Sequence, residues 1–305
     1  MTWIREFLNK TPEEKKKWLR DALEPRHGYQ DQTWQQLIFR GLIVCFTAYR
    51  PMILYLLLAP FLAYIGMQIR HYTLGEDAFI SASGNFYYVL AQICVLVYLY
   101  RSAKKKGMSL FEAVGLQIKG ARWKLGGWCA AFGAFLSIML SAIITLLPGL
   151  ITAGYTADSA RIFQRTDLLL VLLSLGIFTP VVEEILIRGY LLNGLLSFFT
   201  DQQAVLISAF IFAVFHVQPL WILYTFFLGI LMAKLAIKED NILYSMLMHA
   251  GFNFPSILNA VIQCCGAEKI FFGSHILILF YGLLGAAGAY LMLQNIQREE
   301  ELWRI

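Results

Sequence analysis

The chain has 305 residues, 58% hydrophobic and only 15% charged, with a formal net charge of +5 and a positive mean hydropathy. A soluble domain carries charge on about a quarter of its residues, so this composition excludes one and points to a polytopic membrane protein. The basic residues flank apolar runs and form no stripe interleaved with aromatics, which leaves the lipid bilayer as partner and excludes nucleic acid.

Residues 1–36 read as a cytoplasmic, amphipathic N-terminal segment, too polar to supply the h-region of a signal peptide. Thr11, Pro12 and Glu14 form a capping box with proline at the first helical position, which predicts a short helix to about residue 23. The run 37–49 is bracketed by Arg40 and Arg50 and reads as an interfacial lead-in. Spans are expected at 51–69 and 84–100, followed by Arg101, Lys104, Lys105, Lys106, Lys119, Arg122 and Lys124 against the single acid Glu112. That excess of positive charge places the segment on the cytoplasmic side. A third span, 126–147, is rich in Ala, Gly and Ser, which lets helices approach closely. Residues 148–167 form a connection of mixed charge.

The fourth span begins near 168, and further apolar runs follow at 204–217, 220–237, 242–262 and 271–293. The expectation is an all-α bundle of about eight spanning helices in the cell membrane, with both termini cytoplasmic. Its parts are the segment 1–36, N-terminal transmembrane helices over 37–167, a transmembrane core over 168–293, and a tail at 294–305. The five cysteines lie in or beside apolar runs without CxxC or Cys/His spacing, and read as core residues.

The fourth span carries TPVVEEILIRGYLLN. A carboxylate at membrane depth is costly unless paired, hydrated or neutralised, so two adjacent ones mark a functional site. Glu183 and Glu184 point about 100° apart on a helix and need different partners. Arg188 follows Glu184 at i,i+4, the spacing of an ion pair on one helix face. Glu184 is thereby neutralised and oriented, and Glu183 is left to face a cavity as the candidate for chemistry.

Two further clusters, Phe212 with His216 and His249 with Asn253, are also i,i+4 pairs within apolar runs. Glu183 lies 18 residues before position 201 and His216 lies 15 after it. Two antiparallel helices joined by a turn there would bring them within about 5 Å of the same depth.

EEILIR, FAVFH and HAGFN fit the patterns Glu-Glu-x-x-x-Arg, Phe-x-x-x-His and His-x-x-x-Asn, in the order that marks the CAAX protease and bacteriocin-processing (Abi) family. The chain resembles a bacterial member of that family, which includes the Ras-converting CAAX protease. The resemblance covers 179–253 and implies a helical membrane fold around an intramembrane cavity. It implies glutamate-dependent hydrolysis of peptide bonds in membrane-associated proteins or peptides, without metal, cofactor or covalent intermediate. By position, Glu183 would activate the water and His216 would position it or relay its proton. His249 and Asn253 would stabilise the oxyanion, with Glu184, Arg188 and Phe212 in support.

Two other readings stand beside this one. In the first, Glu183, His216 and His249 ligate zinc in a membrane metalloprotease, a suitable donor set that lacks HExxH. In the second, the chain is a non-catalytic immunity or scaffold protein that binds a peptide or a sensor kinase, the Glu pair being an ion-pair network that specifies helix packing.

Overall fold

The computed structural model describes residues 80–105, 107–149, 168–266 and 274–300, with single positions between 42 and 64 and at 152 and 154. The N-terminal helix, the interfacial lead-in, most of the expected 51–69 span and most of the 148–167 connection lie outside the described residues. Those described are helical, without strands. The elements are α1 (Ile80–Lys105), α2 (Leu110–Val114), α3 (Trp123–Leu146), α4 (Leu168–Leu196), α5 (Asp201–Val214), α6 (Pro219–Glu239), α7 (Leu243–Cys264) and α8 (His275–Glu300).

Among the described residues, five helices are long and apolar enough to cross a membrane: Phe86–Lys105, Trp123–Leu146, Leu168–Leu196, Pro219–Glu239 and His275–Arg298. A 24-residue helix such as α3 runs about 36 Å, enough for a hydrocarbon layer of about 30 Å. Phe210, Leu223, Phe227 and Leu283 stand exposed on the outside of the bundle, an apolar surface suited to lipid. These are the features of a multi-pass membrane protein.

Two of the expected spans differ. The run expected at 204–217 is a 14-residue helix, α5, too short to cross unaided. It starts at a capping box in which the Thr200 hydroxyl accepts from Gln203 N–H, and it stops before the turn that carries His216. The run at 242–262 is the 22-residue α7, long enough but too polar to be one of the five. Ser245, His249, Asn253 and Asn259 interrupt its apolar surface. A helix sheltered by neighbours need not be apolar all round, since only lipid-facing positions are penalised.

Helix α4 is the axis of the bundle. Val182, Ile185, Leu186, Ile187, Leu191, Leu192 and Leu195 are all buried, so the helix is covered on nearly every side. Against it pack Val95 and Leu99 of α1, Met232 and Leu235 of α6, and Met248 of α7. Helix α3 packs extensively against α7 and α8, α5 against α6, and α1 against the first half of α4.

The seam between α3 and α7 depends on two glycines. A Cβ at Gly133 would sit 2.1 Å from the Met248 carbonyl oxygen, and one at Gly251 would sit 2.0 Å from that of Ala130. No side chain fits at either position, so backbone meets backbone on both sides of His249.

At one end of the bundle, the segment between α1 and α3 is tied to the α6–α7 turn. Asn241 accepts from Gln117 N–H at 3.1 Å and donates to the Gln117 carbonyl at 2.8 Å, while Arg122 pairs with Glu239. Ser109 and Glu112 form a reciprocal capping box on α2, and the Ser109 amide and hydroxyl hold the Glu112 carboxyl below its ordinary pKa.

Candidate active site

Helix α4 is not a regular α-helix. It runs α over Leu168–Leu173, π over Ser174–Phe178, α over Thr179–Glu184, π over Ile185–Leu192 and α again over Asn193–Leu196. Pro180 explains part of this. The Thr179 amide donates back five residues to the Ser174 carbonyl, and Pro180 has no N–H. The Leu175 carbonyl is therefore left without either amide that would follow it in an α or π ladder. Asn253 Nδ2 of α7 donates to it at 2.9 Å. One of the predicted site residues thus repairs the backbone defect that proline leaves above the Glu pair.

The two glutamates diverge as their spacing requires. Glu184 Oε1 accepts from Arg188 Nη1 at 2.7 Å, and both side chains are fully buried. Arg188 Nη2 donates to the Gly229 carbonyl of α6 at 3.1 Å, and the guanidinium carbon lies 4.6 Å from the centroid of Phe212 on α5. This arginine thereby ties three helices at one point, by ion pair, backbone hydrogen bond and cation–π contact.

Glu184 Oε1 also lies 3.3 Å from His249 Nδ1. A carboxylate can only accept, so Nδ1 carries the proton and Nε2 points the other way. It faces Glu183, whose Oε2 is 3.9 Å distant. That gap is too long for a hydrogen bond and matches two groups converging on a third atom. Glu183 keeps 14% of its side chain accessible, against none for Glu184.

His216 sits in the turn after α5, its Nδ1 against the Phe212 carbonyl at 3.0 Å, and within electrostatic reach of Glu183 and His249. Phe212 stands edge-on to both imidazoles, with centroids 4.9 Å from His216 and 5.9 Å from His249. The phenyl ring is therefore the wedge that spaces the two histidines. The turn beyond His216 is strained: Val217 has φ +60°, and Gln218 N–H reaches back to the His216 carbonyl at 2.6 Å.

Six of the seven predicted positions, Glu183, Glu184, Arg188, Phe212, His216 and His249, are thus linked by direct contacts, while Asn253 meets α4 at the Leu175 carbonyl. Among the described residues, no group of three or more His, Cys, Asp or Glu side chains is arranged to hold a metal ion.

One set of residues was not anticipated. Gln92 of α1, fully buried, donates from Nε2 to Tyr55 Oη at 3.0 Å and to Thr179 Oγ1 at 2.8 Å. Thr179 lies one turn before Glu183. The signal available in sequence was a carboxamide in the middle of the second apolar run, one turn after Tyr88.

Residues 165–255 match a family model described as Rce1-like, type II CAAX prenyl endopeptidase Rce1-like. Over this segment the chain is similar to the Rce1-like endopeptidases. The match holds all three motifs together with α5 and α6 between them, and it implies a hydrolase acting on peptide bonds. Helices α1 to α3 and α8 lie outside the Rce1-like segment. No curated protein and no solved structure matched the chain.

Proposed function

We propose that the protein is an intramembrane glutamate-dependent endopeptidase that cleaves membrane-associated proteins or peptides by general-base activation of water. The observation that carries this reading is the division of labour at the Glu pair. Glu184 is held by Arg188 and His249, while Glu183 has no guanidinium or ammonium partner among the described residues and faces His249 Nε2 across 3.9 Å. A poorly solvated carboxylate without a counter-ion is a competent base, and general-base catalysis contributes about 10²- to 10⁴-fold.

In this reading Glu183 takes the proton of a water as its oxygen attacks the peptide carbonyl. The same proton is then delivered to the departing amide nitrogen, so no acyl-enzyme forms. His249, its tautomer set by Glu184, orients the water or the carbonyl from Nε2, and His216 serves the proton transfer from the other side of Phe212. Asn253 has a second Nδ2 hydrogen beyond the one given to Leu175, and it is available to the developing oxyanion. The substrate arrives from the bilayer, and the basic segment between α1 and α3 lies on the cytoplasmic side.

The test is cleavage of a quenched fluorescent peptide library by the detergent-purified protein and by Glu183→Gln, each with and without a strong chelator. Chelator-resistant cleavage that Glu183→Gln loses by about 10²-fold or more is expected. Cleavage abolished by the chelator would move the reading to a metalloprotease, and cleavage undiminished in Glu183→Gln would end it.

A further inference from the structure

The polar group on α1 has no role in the chemistry described above. Gln92 is fully buried in the apolar middle of α1, and both hydrogens of its carboxamide are used, one on Tyr55 and one on Thr179. Its Oε1 is buried with no hydrogen-bond partner. Among the described residues, six other buried side-chain atoms share that condition, and four of them, on Ser174, Glu183, Glu184 and Arg188, belong to α4. The unpaired atoms are thus concentrated on and against the helix of the Glu pair, where a buried acceptor left unmade is costly.

The geometry aims the carboxamide at the site. Tyr88 and Gln92 share one face of α1 at i,i+4, and Thr179 and Glu183 share one face of α4 at the same spacing. Gln92 bonds directly to Thr179, the Tyr88 hydroxyl contacts those of Tyr55 and Thr179, and both tyrosines lie in the field of Glu183. The two Nε2 bonds fix the rotation of the amide, so Oε1 is a preset acceptor.

We propose that Gln92 is a substrate-binding residue that accepts a hydrogen bond from one backbone N–H of the peptide being cleaved. The proposal rests on the endopeptidase reading and adds a contact from outside the Rce1-like segment. An extended peptide in a dry site brings amides that water no longer satisfies, so the protein must supply acceptors at fixed places. Glu183 and Glu184 are committed to a proton and an ion pair. Gln92 Oε1 is a neutral acceptor held against Thr179, one turn before Glu183, and it does not compete for the catalytic proton.

The experiment is an amide-to-ester scan. The all-amide peptide cleaved fastest in the library is compared with analogues in which one backbone NH at a time is replaced by oxygen, using the wild-type protein and Gln92→Met. In the wild type, one position within a few residues of the cleaved bond loses roughly 10-fold or more in kcat/KM, mainly through KM. In Gln92→Met the all-amide peptide shows the same loss, and the ester at that position costs nothing further. Equal ester penalties in both proteins would overturn the proposal, because a residue that only supports packing leaves the substrate contact intact. A wild type indifferent to every single ester would overturn it without recourse to any variant. If the wild type cleaves none of the all-amide peptides, the endopeptidase reading falls and takes this proposal with it; if cleavage depends on Glu183 but the scan is flat, this proposal alone falls.

Discussion

The two faces of α4 at the Glu pair carry the same side chain and different surroundings. On the Glu184 face, a guanidinium and an imidazole from two helices close on one oxygen, a phenyl ring from a third covers the guanidinium, and nothing is left accessible. On the Glu183 face, the Tyr55 and Tyr88 hydroxyls lie within electrostatic reach, His249 Nε2 stands 3.9 Å away, and part of the side chain stays accessible. Burial alone does not separate a structural acid from a reactive one. The separation comes from whether a permanent cation is committed to it. Here the committed pair also aims His249, so the closed face sets up the open one.

A large break in this comparison comes from the frame that holds His249. Gly133→Ala forces a methyl group into the Met248 carbonyl, so α3 and α7 must part; the loss is about 3 kcal/mol, read as a fall in the detergent unfolding midpoint. Activity lost in step with the unfolded fraction is the expected pattern.

A sharper probe concerns the proline above the pair. Asn253→Leu leaves the Leu175 carbonyl unsatisfied and costs about 1–3 kcal/mol. Pro180→Ala restores an amide that can take up that carbonyl, so the Asn253→Leu penalty shrinks when both changes are present. Equal penalties in the two backgrounds would mean that the proline is not what calls Asn253 to that carbonyl.

The smallest effect lies at the His216 turn. Val217→Gly relieves a left-handed valine and raises stability by roughly 1 kcal/mol, while the loosened turn lowers kcat. A variant both more stable and more active would show that the strain has no part in holding His216.

Much of this was legible in the sequence, for identifiable reasons. An i,i+4 spacing is a local property of a helix, so the Glu184–Arg188 pair and the shared faces of Phe212 with His216 and of His249 with Asn253 could be read directly. The conflict between an acid and an apolar run located the site without any knowledge of tertiary structure. What escaped depended on neighbours. The run expected at 204–217 falls short because α5 stops at the His216 turn, and the one at 242–262 is long enough but carries polar residues in the shelter of others.

The π segments of α4 escaped as well: Pro180 announced a disturbance, but its form is fixed by what donates to the Leu175 carbonyl from another helix. Gln92 was passed over because two carboxamides, Asn85 and Gln92, in a 17-residue apolar run do not alter its reading as a span. Its importance comes from Thr179, 87 positions away in the chain.

The account turns on the claim that two adjacent glutamates do different work, and the most direct measurement compares the unfolding midpoints of Glu183→Gln and Glu184→Gln in one detergent. Glu184→Gln leaves Arg188 buried without its counter-ion and is expected to lose about 3–5 kcal/mol. Glu183→Gln removes an unpaired buried charge and is expected to match or exceed the wild type in stability while losing turnover. A Glu183→Gln protein that unfolds as readily as Glu184→Gln would contradict the account, because Glu183 would then belong to the frame.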